Sequence, residues 1–489
     1  MSINLTASRN LTMLTDFYEI TMANGYLNSG FADKIAVFDM FFRKIPDDGG
    51  FAIFAGLEQL LDFLENLYFS EEDIAYLRSL GYFSEAFLDY LKDFSFSCDV
   101  WSVVEGTPIF PNEPIVTVRG SIIQAQFIET MLLTTINHQS LIATKANRMV
   151  RAAKGKEVME FGARRAQGYD GAIYGSRAAF IGGCSSTSCA ISAAEYHIPV
   201  TGTMAHSWVQ SFDSEYSAFY HYAKIYPTQC VLLVDTYSVE YSGVPNAIRV
   251  FDELLKPKGI RPKGIRIDSG DIAYLSKKAR AMLDKAGYKD VKIIASNSLD
   301  EYIIRDLLLQ EAAVDIFAVG ENLITSKSSP VFGGVYKLAA VEENGVLTPK
   351  IKISETIEKV TLPHFKKAYR FYERETGRNV ADFIALADEQ FNFQKEFTIF
   401  DPIAVWKKKT LKNFIARELL VPVFVRGKRV YQSPSLKEIQ KECLKQVRDL
   451  WEEVKRFEYP HRYYVDLSDA LWNLKAQMLS DYHRFSLSQ

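Results

Sequence analysis

The stretch GIRIDSGDIAYLSKKARAMLDKAGYKDVKIIASNS, residues 264–298, decides the fold. It begins with a short β-branched run, passes through a polar turn into a segment with helical apolar spacing, and ends in a second β-branched run. Asp271 is placed to cap the start of the helix, and Gly287 lies near its end. A strand, a helix and a second strand in this order predict a parallel βαβ unit.

The same alternation recurs through the middle of the chain. Short apolar runs end in polar or glycine-rich sequence, and helix-like segments separate many of them. The runs are VMEFGARR, PVTGTMAH, VLLVDT, GIRIDSGD, KIIASNS, IFAVGEN and GGVYKLAAV. This number of units predicts an α/β barrel rather than an open sheet.

The N-terminal part has a different pattern. Ser70 and Ser84 are placed to open helices within residues 70–94, and residues 100–120 alternate as strands do. These signals predict an α+β domain over residues 1–125.

Two further patterns set the remaining boundaries. An uninterrupted helical pattern runs from about residue 122 to 153, and strands, turns and charged helices such as 435–457 follow residue 345. We therefore predict a catalytic barrel over 126–344 and a C-terminal region over 345–489 that packs against the N-terminal domain.

Composition excludes several classes of protein. With 489 residues, 48% hydrophobic and 24% charged, the chain is typical of a folded protein of two or three domains. A net charge of −3 without long runs of one sign argues against a general nucleic-acid or membrane surface, and no apolar stretch reaches membrane-spanning length. Five cysteines without a CxxC pair argue against zinc and disulfides and favour a cytoplasmic location.

The chemically interesting residues follow the strand-like runs. In α/β barrels, reactive groups gather where strands end and loops begin. The residues in such positions are Arg164, Arg165, His206, Asp235, Asp268, Asp271, Asn297 and Gly320.

Two carboxylates surround the Ser-Gly turn of the opening stretch. Asp268 and Asp271 could bind sugar hydroxyls, hold Mg²⁺ or balance a developing positive charge. The alternative is structural, with Asp271 as a helix cap and Asp268 as a turn residue.

Two other stretches are suited to anions. Arg164 and Arg165 could form a clamp for carboxylate or phosphate, although surface salt bridging is the usual role of arginines. The glycines at 320, 333 and 334 could let backbone N–H groups approach phosphate, or could simply form a tight hairpin.

His206 lies in GTMAHSWV without the spacing of a metal motif. An isolated histidine is usually a hydrogen-bonded core residue. Its place at the rim of the predicted barrel favours a nucleophilic or acid–base role instead.

Seven blocks in order cover roughly the first 340 residues. They are LTDFYEITMANGYL (14–27), VFDMFFRKIPDDGGFAIFAGL (37–57), EFGARRAQGYDGA (160–172), GTMAHSWV (202–209), IDSGD (267–271), ASNSLDE (295–301) and GGVYKL (333–338). Together they resemble the nicotinate phosphoribosyltransferase family.

The resemblance implies a reaction and an architecture. The reaction joins nicotinate and phosphoribosyl pyrophosphate to give nicotinate mononucleotide and pyrophosphate, coupled to ATP hydrolysis in NAD salvage, with a ligase-type classification. The architecture is an irregular α/β barrel of the type II phosphoribosyltransferase kind, in a head-to-tail homodimer with shared active sites. ATP is the expected co-substrate and Mg²⁺ the expected ion, with Asp271 as its candidate ligand.

The resemblance also implies roles for the residues that match the catalytic and base-binding motifs. His206 matches the histidine phosphorylated by ATP, and Asp268 matches the carboxylate beside the ribose and pyridine nitrogen. Phe161 matches an aromatic residue that stacks on the pyridine ring, and Tyr18 one that the neighbouring subunit supplies. Arg164 matches an arginine near nicotinate and the sugar phosphate.

Further matches concern the phosphates. Arg266 is expected to help hold the substrates, and Arg43 to contact pyrophosphate across the dimer. Gly320, Gly333 and Gly334 fall where the family binds the 5′-phosphate.

The stretch IGGCSSTSC, residues 181–189, bears on which base is bound. Related nicotinamide enzymes carry an aspartate on the helix here, whereas Ser185 and Thr187 would not repel a carboxylate, which favours nicotinate. Cys184 and Cys189 are expected to be packing residues of a helix.

Other functions stay open at this point. The chain could be a type II phosphoribosyltransferase that acts on nicotinamide or quinolinate. It could also be a non-catalytic barrel that binds a nucleotide and regulates a partner.

Overall fold

The structure is a computed structural model that describes residues 9–354, 356 and 359–487. Contacts divide the chain into two compact units. Unit 1 comprises Met1–Leu141 and Val331–Gln489, and unit 2 comprises Ile142–Pro330. In the described part of the chain, no helix is both long and apolar enough to cross a lipid bilayer.

The elements are given in chain order. The helices are α1 (Phe17–Asn28), α2 (Leu57–Glu65), α3 (Glu71–Ser79), α4 (Glu85–Lys92), α5 (Ile122–Phe127), α6 (Glu129–Ala152), α7 (Tyr169–Ile181), α8 (Ala190–Tyr196), α9 (His206–Gln210), α10 (Glu215–Ile225), α11 (Val244–Val250), α12 (Ile272–Lys285), α13 (Glu301–Leu309), α14 (Glu321–Ile324), α15 (Leu436–Arg448) and α16 (Asp469–Leu487). The strands are β1 (Ile35–Phe42), β2 (Ala52–Ile53), β3 (Asp99–Ser102), β4 (Pro108–Ile109), β5 (Val116–Ser121), β6 (Glu157–Glu160), β7 (Val231–Leu233), β8 (Gly264–Ile267), β9 (Lys292–Ala295), β10 (Ile316–Val319), β11 (Gly334–Glu343), β12 (Val346–Pro349), β13 (Lys366–Glu373), β14 (Asn379–Leu386), β15 (Phe397–Phe400), β16 (Lys408–Leu411), β17 (Phe414–Glu418), β18 (Val421–Val425), β19 (Lys428–Arg429) and β20 (Val465–Leu467).

Unit 2 contains a parallel sheet in the order β6-β10-β9-β8-β7. Isolated parallel bridges from Glu160 to Thr187 and from Thr187 to Val200 continue the pairing beyond β6. The strand–helix–strand unit of residues 264–298 is confirmed: Asp271 caps α12 by accepting from the Tyr274 N–H at 3.0 Å. The predicted α/β fold class is therefore confirmed.

Unit 1 joins the two ends of the chain in one sheet. Its seven strands lie in the order β12-β11-β1-β5-β3-β18-β19, and a second sheet has the order β17-β13-β14-β20. The pairing of β18 with β3 is antiparallel and brings a C-terminal strand to the N-terminal region. Ser70 and Ser84 cap α3 and α4 as predicted, each accepting from the backbone N–H three residues later.

Two segments that were expected to be barrel strands do not join the parallel sheet as strands. GGVYKLAAV lies in β11, which pairs antiparallel with β1 in unit 1 instead of extending the parallel sheet. PVTGTMAH forms no strand and contributes only the bridge at Val200. Polar groups of Thr203 and Met204 in that segment are held by a side chain, Arg266, rather than by a neighbouring strand.

Two predicted helices are shorter than expected. The helical pattern of 122–153 is divided at the buried residue Ile128 into α5 and α6. The helix predicted over 435–457 ends at Arg448. Beyond it, the Trp451 indole donates to the carbonyl of Asn379 at 2.6 Å, and Val454 is buried, so tertiary packing replaces the helix.

A buried ion pair ties the second sheet of unit 1 together. Arg370 on β13 and Asp382 on β14 are fully buried and form two hydrogen bonds, at 2.7 and 2.6 Å. Glu113 lies nearby, and burial together with the charge of Asp382 raises its pKa. Removing either partner of such a pair leaves an uncompensated buried charge, which is costly.

Glu19 on α1 is an acid whose side chain is buried. It accepts from the hydroxyls of Thr15 and Thr130, each at 2.5 Å. Burial raises the pKa of Glu19 from 4.5 to about 7, and the charge of Glu129 adds to the increase, while the two threonine bonds oppose it. The folded state therefore binds this proton more tightly than the unfolded state does.

We expect the stability of the wild-type protein to fall, relative to Glu19→Gln, as pH rises from about 4.5 to about 7. Below this window the acid is protonated in both states, whereas above it the folded protein must hold a buried charge. Scanning calorimetry of both proteins at pH 5 and pH 8 checks this, with the exposed Glu72→Gln as control. An equal difference between wild type and Glu19→Gln at both pH values would contradict it.

Candidate active site

Polar residues converge at one edge of the parallel sheet in unit 2. In a parallel sheet, all carboxyl ends of the strands lie at the same edge. The residues that follow β6, β7, β8, β9 and β10 there are Phe161, Asp235, Thr236, Asp268, Ser296 and Gly320.

His206 is the first residue of α9 and faces two of these side chains. Its Nδ1 atom lies 3.1 Å from the Thr236 hydroxyl, and its Nε2 atom lies 3.8 Å from a carboxylate oxygen of Asp268. The side chains of His206 and Asp268 are 39% and 33% exposed, so a ligand can reach both. The structure thus brings the predicted histidine and aspartate together.

Asp268 is held in place through both its side chain and its backbone. Its Oδ1 atom accepts from the Ser296 hydroxyl. Its backbone N–H donates to Asp235 at 3.0 Å, and the Ser269 hydroxyl donates to the same oxygen at 2.5 Å. The remaining carboxylate oxygen of Asp268 therefore points toward His206 from a fixed position.

Arg266 supports the segment that leads into His206. Its guanidinium donates to the Thr203 hydroxyl at 2.6 Å and to the Met204 carbonyl at 3.2 Å. Burial lowers the pKa of Arg266, although the charge of Asp268 opposes that effect. The predicted role in holding substrates stays a prediction, and the observed contacts position the histidine segment.

Two buried polar atoms at this edge have no hydrogen-bond partner among the described residues. They are Oδ1 of Asp235 and Nε of Arg266. Buried polar atoms are nearly always satisfied in folded proteins, so both are suited to meet a ligand, an ion or water.

The side chains predicted to bind the base and phosphate follow β6 and β10. Phe161 is half-buried, and its N–H donates to the Val319 carbonyl at 2.7 Å. A Cβ added at Gly320 would lie 3.3 Å from the Phe161 carbonyl, so the two strand ends adjoin. Arg164 is exposed in the next turn, whereas Arg165 pairs with Glu321 at 3.7 Å and so follows the salt-bridge alternative.

The stretch after α7 is a loop, not the expected helix, and it contacts an acid. Thr187 is fully buried, and its hydroxyl donates to Glu160 at 2.6 Å. The Ser185 hydroxyl donates to the Val158 carbonyl at 3.3 Å. Cys184 and Cys189 are buried, as expected of packing residues.

Asp271 is a helix cap, which was the structural alternative to a functional role. Its side chain caps α12, and its place as a Mg²⁺ ligand stays a prediction. In the part of the chain that the structure describes, no group of three or more His, Cys, Asp or Glu side chains is arranged as a metal site.

Four of the predicted residues belong to unit 1. Tyr18 lies on α1 and is 45% exposed, and its pKa is raised by burial and by the neighbouring carboxylate of Glu129. Arg43 follows β1, with its guanidinium 5.4 Å from the centre of the Phe41 ring. Gly333 has a φ of +71°, and Gly334 begins β11 against Asn137, whose Oδ1 would be 2.2 Å from an added Cβ.

Family models match most of the chain. The nicotinate phosphoribosyltransferase N-terminal domain matches residues 13–137, the nicotinate phosphoribosyltransferase family matches residues 156–361, and the nicotinate phosphoribosyltransferase C-terminal domain matches residues 365–475. The chain belongs to the nicotinate phosphoribosyltransferase family.

Relatives of this family span the chain from end to end. The nicotinate phosphoribosyltransferase of Bacillus subtilis is 46% identical over 474 residues, which is 96% of each chain. The human enzyme is 31% identical over 517 residues, covering 94% of this chain and 95% of the human one. A crystal structure of human nicotinic acid phosphoribosyltransferase superposes with a TM-score of 0.83 at 28% identity, over 95% of this chain and 99% of the other.

A more distant structure shares the fold alone. The nicotinate-nucleotide pyrophosphorylase from Pyrococcus furiosus superposes with a TM-score of 0.68 at 23% identity, over 92% of this chain and 97% of the other.

Several side chains of this site were not predicted. Thr236, Ser296 and Thr203 are ordinary hydroxyl residues, and only their contacts with His206, Asp268 and Arg266 set them apart. For Thr236 and Ser296 a signal existed, because both follow strand-like runs at the edge where Asp268 was expected.

Proposed function

We propose that this chain forms nicotinate mononucleotide and pyrophosphate from nicotinate and phosphoribosyl pyrophosphate, with ATP hydrolysis coupled through a phosphate on His206. Family membership supports the reaction. The observation that carries the coupling is the placement of His206 with Nε2 3.8 Å from Asp268, on an accessible edge of the parallel sheet.

Phe161 and Arg164 are suited to receive nicotinate. A half-buried aromatic ring offers a π-face to the flat pyridine, and an exposed guanidinium attracts a carboxylate. We propose that Tyr18 of a second copy completes the stack in a homodimer, since this ring is 45% exposed on α1.

Asp268 is suited to act on the sugar. As pyrophosphate leaves, positive charge develops on the ribose ring, and a carboxylate fixed in advance stabilises that charge without reorganising. Two hydrogen bonds fix the Asp268 carboxylate in this way: the Ser296 hydroxyl donates to it, and the Asp268 backbone N–H donates to Asp235. Arg266 donates to Thr203 and thereby holds the segment that leads into His206 next to Asp268.

His206 is suited to accept a phosphoryl group. One ring nitrogen has a hydroxyl partner in Thr236, which orients the ring and favours one tautomer. The other nitrogen lies 3.8 Å from Asp268, on a side chain that is 39% exposed. The γ-phosphoryl group of ATP is transferred to a ring nitrogen while ADP leaves. Water later takes the phosphoryl group as phosphate, which restores the free imidazole for the next turnover.

Mg²⁺ is expected to arrive with the phosphates. In phosphate sites this ion keeps several waters and is held by one or two carboxylates besides the phosphate oxygens. The buried Oδ1 of Asp235, which has no hydrogen-bond partner among the described residues, fits such a ligand better than the capping carboxylate of Asp271. When bound, the ion would neutralise charge on the leaving pyrophosphate.

The choice of base follows from charge. We propose that nicotinate is preferred over nicotinamide and quinolinate, because Arg164 supplies a positive charge for one carboxylate, and Ser185 brings no negative charge. The five cysteines are buried and form no disulfide among the described residues, which fits an enzyme that acts in the cytoplasm. Mass detection of mononucleotide formed from each of the three bases, with and without ATP, tests the proposal.

We expect His206→Ala to abolish the stimulation by ATP while the protein stays folded. Rates of nicotinate mononucleotide formation with and without ATP should then agree within about twofold. The matched control is His221→Ala on α10, where an exposed ring stacks on Phe212 and takes no part in the site. An ATP response of wild-type size in His206→Ala would remove this residue from the mechanism.

We expect Asp268→Asn to lower kcat about a hundredfold while the KM for nicotinate changes less than about threefold. The reason is that its charge is needed mainly in the transition state. Steady-state kinetics checks this, with Asp284→Asn, an exposed partner of Arg280 on α12, as control. Equal losses in kcat and nicotinate affinity would count against the role.

A further inference from the structure

Glu160 is a fully buried carboxylate directly before Phe161. It accepts hydrogen bonds from three separate segments: the Gly162 N–H in the next turn, the Ser176 hydroxyl on α7 at 3.0 Å, and the Thr187 hydroxyl at 2.6 Å. All three donors are neutral. Burial raises the pKa of Glu160, and the three hydrogen bonds oppose that effect.

The turn that Glu160 supports is tightly packed. A Cβ added at Gly162 would lie 2.6 Å from Ile324 and 2.9 Å from the Glu160 carboxylate. Only glycine allows the backbone to approach this closely, and the Glu160–Gly162 hydrogen bond is the side-chain contact that fixes the approach. Phe161 lies between the two residues that this bond joins, and Arg164 lies two residues after Gly162.

The hydroxyl of Thr187 is committed to the same carboxylate. Its oxygen also accepts from the Cys189 N–H at 3.0 Å, so its proton is directed to Glu160. Ser176, in contrast, can direct its proton to the Ala172 carbonyl, 2.8 Å away. The carboxylate thus joins the Phe161 turn to the loop of residues 185–188.

We propose that Glu160 is a positioning residue for nicotinate, which sets the turn carrying Phe161 and Arg164 through its bond to the Gly162 N–H. This rests on the proposed function, in which those two side chains bind the base. The role depends on reach and shape more than on charge. A glutamine keeps an oxygen for Gly162, and its amide nitrogen can donate to the Thr187 hydroxyl oxygen once that hydroxyl turns its proton away. An aspartate keeps the charge but is one methylene too short to hold all three donors.

The test compares Glu160→Gln with Glu160→Asp. We expect Glu160→Asp to raise the KM for nicotinate at least about tenfold, more than the KM for phosphoribosyl pyrophosphate, and Glu160→Gln to change it less than about threefold. Glu157→Asp, the same shortening at the exposed start of β6, is the matched control and should resemble wild type. The reverse order, with glutamine worse than aspartate, would mean that the charge or the second acceptor oxygen matters more than the bond to the Gly162 N–H, and would overturn the proposal.

Hydrogen exchange supplies a measurement that needs no activity. Amides of residues 161–166 should exchange at least about tenfold faster in Glu160→Asp than in wild type, and within about threefold of wild type in Glu160→Gln. Unchanged exchange in Glu160→Asp would overturn the proposal even if the enzyme makes nicotinate mononucleotide. If wild type makes none, the proposed function fails, while the exchange order still decides whether Glu160 holds the turn.

Discussion

The site in unit 2 depends on the fixed orientation of the Asp268 carboxylate. One of its oxygens is taken by Ser296 and its backbone by Asp235, so the other oxygen faces His206 at 3.8 Å. A charge that is already oriented stabilises a developing cation without the cost of turning toward it. The parallel sheet makes this possible, because neighbouring strands deliver Asp235, Asp268 and Ser296 to one edge.

Charged groups are buried in this chain by two different means. Arg370 and Asp382 in unit 1 neutralise each other, whereas the three donors to Glu160 in unit 2 are neutral. Arg266 is intermediate, because its guanidinium binds Thr203 and a carbonyl while one nitrogen has no partner among the described residues. The Arg370–Asp382 pair is suited to stability, whereas the arrangements around Glu160 and Arg266 are suited to fixing geometry.

The sequence predicted what local patterns determine. Caps at Ser70, Ser84 and Asp271 and the βα alternation around residues 264–298 are present as expected, since each depends on residues a few positions apart. The seven blocks led to the family, and the rule for strand ends placed Asp268 at the edge of the sheet where it meets His206.

Tertiary contacts decided the rest. Nothing in GGVYKLAAV indicates that β11 pairs with β1, because that choice depends on a strand about three hundred residues earlier. The segment before His206 has the composition of a strand but is held by the Arg266 side chain. Glu160 was passed over in the block that contains Phe161, since only the three donors around it distinguish it from an ordinary strand residue.

Because unit 1 is built from both ends of the chain, its large sheet cannot be completed early in synthesis. β1, β5 and β3 emerge from the ribosome first, but the outer partners of that trio, β11 and β18, are made only after all of unit 2. Two strand edges must wait unpaired in the nascent polypeptide, a state that invites aggregation and slows folding. Residues 331–489 thus supply the strands that complete the large sheet of unit 1.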